Sequence, residues 1–136
     1  MTRIALAAGM LAALLALPAA GQVKVALDSP PDPEKSGTYV WAQAFVEHLN
    51  ANGMEAEEFQ RGALGDEAER LDQVSQGLLE VSMSDVKSAG QLDSLIFGVY
   101  LPYFFEGTAA LDRALRAGGM LERINAGTTP KGVRVL

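Results

Sequence analysis

The chain has 136 residues with 11 basic and 17 acidic side chains, a formal net charge of −6, and no cysteine. That length suits one domain with a real core; the missing cysteines exclude disulfides, thiolate zinc sites and a cysteine nucleophile. The acidic balance argues against nucleic acid, which is bound mainly through Lys and Arg on phosphates, and 49% hydrophobic against 21% charged residues excludes wholesale disorder.

The amino terminus reads as a leader. Met1-Thr2-Arg3 carries one positive charge, Ile4 to Ala20 carries none, and the stretch closes on Pro18-Ala19-Ala20-Gly21. A basic start, an apolar run and a small-residue end describe a secretory signal peptide over residues 1–21. The apolar run falls short of the roughly 20 residues that a spanning helix needs, a retained anchor being the alternative. No cysteine follows to carry a lipid. The expected mature chain, residues 22–136, is exported, periplasmic and free of stable membrane insertion once the leader is cleaved.

The rest alternates strand and helix. Val23, Val25 and Leu27 alternate with Lys24, Ala26 and Asp28, a strand pattern ended by Ser29-Pro30-Pro31-Asp32-Pro33. A helix is predicted from Thr38 to Asn52, with Trp41, Ala44, Phe45, His48 and Leu49 on one stripe and Gly53 as its stop. Trp41 is expected in the core, and His48 as a partly covered helix histidine. Met54 to Phe59 reads as a second strand. After the turn Gln60 to Gly65, Asp66 with Glu69 predicts a capping box and a helix through Gln76, closed by Gly77. A third strand is predicted at Glu80 to Ser84, and a loop-helix region from Ser84 or Asp85. Leu95 to Phe105 is nearly all apolar and reads as core packing, with Tyr100 or Tyr103 at a cleft edge as the functional alternative. Thr108 is expected to cap a helix reaching Arg123, with Leu111, Ala114 and Leu115 on one face. Gly132 to Leu136 reads as the start of one more strand, so the sequence is expected to be a fragment of something longer. Strand-helix alternation of this kind means α/β architecture with a mostly parallel sheet flanked by helices.

Five stretches in order resemble one family. They are Val23-Lys24-Val25-Ala26-Leu27; Gly62-Ala63-Leu64-Gly65-Asp66-Glu67; Leu71 to Ser84 with Gln73-Val74, Gly77 and Glu80-Val81-Ser82-Met83; Leu101-Pro102-Tyr103-Phe104-Phe105; and Lys131-Gly132-Val133-Arg134-Val135-Leu136. Together they resemble the first lobe of the DctP-like periplasmic substrate-binding proteins of TRAP transporters. The resemblance implies a periplasmic-binding-protein-like lobe, incomplete here, of a two-lobe protein with its second lobe missing. It further implies capture of a small organic acid, often a dicarboxylate, in the cleft between lobes, delivery to a TRAP-type membrane permease, and no cofactor. The arginine that clamps the ligand carboxylate in relatives belongs to the second lobe, beyond Leu136.

In open α/β sheets ligands sit beyond the carboxyl ends of strands, where helix amino termini also point their amides. Asp28 ends the first strand, Asp66 and Glu67 open the helix after the second, and Asp85 follows the third; by order they correspond to cleft-facing positions in the family. Each has a plainer reading, as a strand end for Asp28 or a helix cap for Asp66 and Asp85. Carboxylates lining a cleft would repel a bare dianion, so a ligand bearing hydroxyl or amino groups beside its carboxylate is expected. A single histidine without carboxylate partners makes no metal site. Ser84-Asp85-Val86-Lys87 satisfies S-x-x-K, but its companions Ser-Asp-Asn and Lys-Thr-Gly are absent, so no enzymatic activity is expected. The alternative to transport is a stand-alone interaction or sensor lobe, or a gene fragment without function.

Overall fold

The computed structural model describes residues 21–136, and the expected leader falls, through residue 20, outside the described residues. Three strands, β1 (Val23–Ala26), β2 (Ala56–Phe59) and β3 (Val81–Ser82), form a wholly parallel sheet in the order β2-β1-β3. Registers pair Val23 with Ala56, Ala26 with Phe59, and Val25 with Val81. As the central strand, β1 is covered on both faces, and Val25, Ala26 and Leu27 are buried. The expected α/β class with a parallel sheet flanked by helices is what the chain adopts, and all three strands are shorter than the periodicity predicted.

Between β1 and β2 runs α1 (Gly37–Ala51), capped by Ser36, whose side chain accepts the Tyr39 N–H at 3.2 Å. Its inward face is Tyr39, Ala42 and Leu49, with Phe45 and Val46 partly covered against Val25 and Leu27. This is the predicted stripe only in part: Phe45 and Leu49 turn inward as expected, whereas Trp41, Ala44 and His48 do not. Trp41, 45% exposed, stacks on Phe45 at 5.0 Å on the outer side, and His48 is exposed too. The helix is apolar around most of its girth, and small Ala42 lets the backbone approach the sheet closely, so that face wins over the bulkier one.

The second helix, α2 (Glu67–Ser75), forms the predicted capping box. Asp66 Oδ1 accepts the Glu69 N–H at 2.9 Å and Glu69 Oε2 accepts the Asp66 N–H at 2.8 Å. Gly77 ends the turn beyond it at φ 73°, a left-handed conformation that favours glycine. After β3 come α3 (Val86–Ala89), a 3₁₀ segment Ser94–Tyr100, α4 (Thr108–Leu115) and α5 (Met120–Thr128).

Three expectations are corrected here. The helix expected from Thr108 to Arg123 is two helices, because Gly118-Gly119 interrupts it with Gly119 at φ 68°. Its cap is Gly107 without a side-chain bond, and Thr108 is the first helical residue. The apolar run Leu95 to Phe105 is largely uncovered among the described residues: Ile96 is buried, whereas Tyr100 is 76% exposed, Phe104 63%, and Tyr103 fully exposed at φ 61° beside Pro102. Finally, residues 132–136 form no strand. Val133 is buried, but the N–H and carbonyl of Val135 are taken by the Asn125 side chain, not by a neighbouring strand.

Candidate functional site

The carboxyl ends of the three strands open on one side of the sheet, and order β2-β1-β3 places β1 between chain segments that leave in opposite directions. That is where α/β sheets form a crevice. Asp28 follows β1, the Gln60 to Gly65 turn follows β2, α2 begins there, and Ser84 and Asp85 follow β3. A cavity of about 360 Å³ lies there, its charged walls being Asp28, Arg61, Asp66, Glu67 and Arg70.

The turn is held open by glycines. Gly62 and Gly65 bridge each other at φ 83° and 96°. A Cβ on Gly65 would meet Glu69 Oε2 at 2.5 Å, so a side chain there would be strained twice over and would push on the capping box.

Beneath the turn lies Arg70, 3% exposed on the inner face of α2. Its Nη1 donates to the Gly65 carbonyl at 3.0 Å, its Nη2 to the Met83 carbonyl at 3.3 Å, and its Nε to Ser82 Oγ at 3.3 Å. One guanidinium therefore ties the turn after β2 to the end of β3, using the fixed fork that lysine lacks. It does so without an ion pair: among the described residues these are Lys35 with Asp32 and Arg116 with Asp112.

Of the four expected site residues, the structure brings Asp28, Asp66 and Glu67 to the one cavity. Asp28 Oδ1 is buried and accepts no hydrogen bond. Asp66 is the α2 cap, and Glu67 Oε1 accepts the Asp85 N–H. Asp85 is set back from the cavity wall. Its Oδ1 accepts the Ser88 N–H at 2.7 Å as the cap of α3, and that bond, partly opposed by desolvation, holds its carboxyl below the usual carboxylate range. Asp85 thus buttresses Glu67.

The charged cavity residues that the sequence left unmarked are Arg61 and Arg70. The signal for Arg70 was its place one turn after the Asp66 cap, between Glu67 and Leu71, on a short helix with few large apolar residues to bury. Tyr100 and Tyr103 line no wall of this cavity. Ser84 and Lys87 share no hydrogen bond, Ser84 Oγ lying instead 3.4 Å from Ser82 Oγ. Among the described residues no group of His, Asp and Glu could hold a metal ion, and no helix is long and apolar enough to cross a membrane.

A second, larger groove of about 910 Å³ runs between α5 and the last residues, with Leu121, Asn125, Pro130, Val135 and Leu136 in its walls. It is mostly apolar and shares no wall residue with the cavity at the strand ends. Convergent polar groups, not volume, mark a small-molecule site, and they gather at the smaller cavity.

Comparison with curated proteins gives no match. Residues 24–136 do match the family model described as bacterial extracellular solute-binding protein, family 7, DctP. With nearly all of the described fold inside that match, the chain belongs to the DctP family of solute-binding proteins.

Proposed function

We propose that this chain is the extracytoplasmic, periplasmic solute-binding component of a TRAP-type uptake system, capturing a small organic acid and delivering it to a membrane permease. Family membership supports solute binding, and one observation supports the place where it happens. Asp28 lines a cavity at the carboxyl ends of a parallel sheet, beside the α2 amino terminus, and its carboxylate, with Oδ1 buried, accepts no hydrogen bond from the described residues. A carboxylate set partly inside protein without a donor is costly, and a ligand hydroxyl or amine in the cavity supplies one to its accessible side.

In this reading the chain is one lobe of a two-lobe clamp. Asp28 and the rim of Asp66 and Glu67 orient the ligand, and Asp85 holds Glu67 in place. An arginine of the other lobe grips the acid in bidentate fashion, and closure about a hinge presents the closed form to the permease. Calorimetry of the chain with a panel of short carboxylic, dicarboxylic, hydroxy and amino acids tests it. Saturable binding that Asp28→Ala abolishes supports the reading; no heat with any acid would sink it.

A second reading, a stand-alone lobe that holds a protein partner, draws on the exposed aromatic run Tyr100, Tyr103 and Phe104. Sedimentation separates the two. If the run is a face meant to be covered within a larger clamp, the chain self-associates through it, whereas an independent module stays a monomer or forms a defined dimer.

A further inference from the structure

The groups around the cavity are not equally committed. Of its three carboxylates, Asp66 accepts the Glu69 N–H and Glu67 accepts the Asp85 N–H. The Asp28 carboxylate, whose Oδ1 is buried, accepts nothing from the described residues. Of its two guanidiniums, Arg70 is buried and donates to Gly65, Ser82 and Met83. Arg61, which is exposed at the rim, takes part in neither ion pair of the described residues. One negative and one positive group therefore line the same small cavity, uncommitted and beyond ion-pair distance of each other.

Ligand chemistry follows from that lining. A bare dianion would face three carboxylates against two guanidiniums and leave Asp28 unanswered. A plain monocarboxylate would engage Arg61 and still leave Asp28 without a donor. A hydroxy acid offers Asp28 a neutral donor. An ammonium group offers a charged one, which makes the stronger bond and also offsets the net negative wall. Guanidinium and carboxylate complement each other in the same way at the opposite side.

We propose that Asp28 and Arg61 together read a zwitterion, Asp28 taking the ammonium group and Arg61 the carboxylate, so that the solute class is an amino acid and not a simple organic acid. This rests on the solute-binding reading above and goes beyond it in two respects. It fixes the charge of the group that meets Asp28, and it gives this lobe its own carboxylate contact.

Three matched probe sets test it by calorimetry on the chain: pooled small L-amino acids, the same skeletons with hydroxyl in place of the amine, and the same skeletons with hydrogen there. The amino acids are expected to bind about tenfold or more tightly than the des-amino acids, the usual advantage of a charge-assisted bond. Asp28→Asn, which keeps the shape and removes the charge, is expected to erase that preference. Arg61→Gln is expected to weaken amino and des-amino acids alike. Since Arg61 is exposed, that variant keeps the fold even if Asp28→Asn does not, and the wild-type ranking stands without either. If hydroxy or des-amino acids bind as tightly as the amino acids, the inference falls and solute binding stands. If no member of any set binds, both fall.

Discussion

Asn50 brackets Ala56: its Oδ1 accepts the Ala56 N–H at 2.8 Å and its Nδ2 donates to the Ala56 carbonyl at 3.1 Å. A side-chain amide near the end of α1 thus fixes where β2 begins, and with it the pairing of Ala56 with Val23 on the central strand. Asn125 of α5 brackets Val135 in the same way, at 2.7 and 2.9 Å. Ala56 lies on β2, an edge strand, and Val135 in no strand, so in both places a side-chain amide satisfies backbone groups that no strand meets.

Asn50→Ala leaves the buried Ala56 without either bond and is expected to destabilise the fold by about 1–3 kcal/mol. Asn50→Asp keeps the acceptor and loses the donor, so it is expected to fall between the two. Urea unfolding of the three proteins checks this order, and equal midpoints would show that β2 is registered by its sheet neighbours alone.

Leu27 is 1% exposed and packs in the cluster of Val25, Tyr39 and Ala42. Leu27→Ala combines lost burial with a cavity and is expected to cost about 2–5 kcal/mol, measured as the shift in denaturation midpoint. A change under half that range would mean that α1 closes down on the gap.

Arg70→Met retains much of the side-chain volume but strands the Gly65 and Met83 carbonyls, at an expected loss of about 1–3 kcal/mol. The more telling readout is local. Hydrogen exchange is expected to accelerate in residues 61–66 and 82–85 while the α1 amides stay protected. Uniform acceleration across the chain would contradict a role as the tie between turn and strand.

Asp85 has a folded pKa below its ordinary value because it accepts the Ser88 N–H. A depressed carboxyl favours the folded state above the unfolded pKa of about 3.9, and that contribution is lost as pH falls through the folded value. Asp85→Asn still caps α3 but cannot titrate. Its stability profile is therefore expected to be flatter than wild type below about pH 4 and parallel to it near neutrality. Parallel profiles throughout would show that the cap carries no pH dependence.

Local signals were legible in the sequence where a few neighbouring residues decide the structure. The Asp66–Glu69 capping box, the Gly77 stop and the β1 alternation ending at the proline loop all follow from short-range chemistry, and each forms as expected. What escaped depends on neighbours remote in the chain. Which apolar face of α1 turns inward is decided by the fit of Ala42 against the sheet, and Trp41 is left outside although its composition favours burial. Val133 and Val135 have a strand's pattern, yet a strand needs a partner, and Asn125 takes that place.

The site divides along the same line. That Asp28, Asp66 and Glu67 share one cavity follows from strand ends and helix starts, which are marked in sequence and which the parallel sheet brings together. Arg61 and Arg70 were not legible, since a charged residue on a turn or a short helix ordinarily faces water. Only the three acceptors offered by Gly65, Ser82 and Met83 show why Arg70 is inside.

Whether solute is held at the carboxyl ends of the sheet is decided by a nitrogen-15 NMR titration of the chain with a mixture of short carboxylic, hydroxy and amino acids. Saturable amide shifts are expected at Asp28, across Arg61 to Glu67 and at Arg70. Shifts confined to the groove around Leu121, Asn125 and Val135, or none anywhere, would contradict binding at the strand ends.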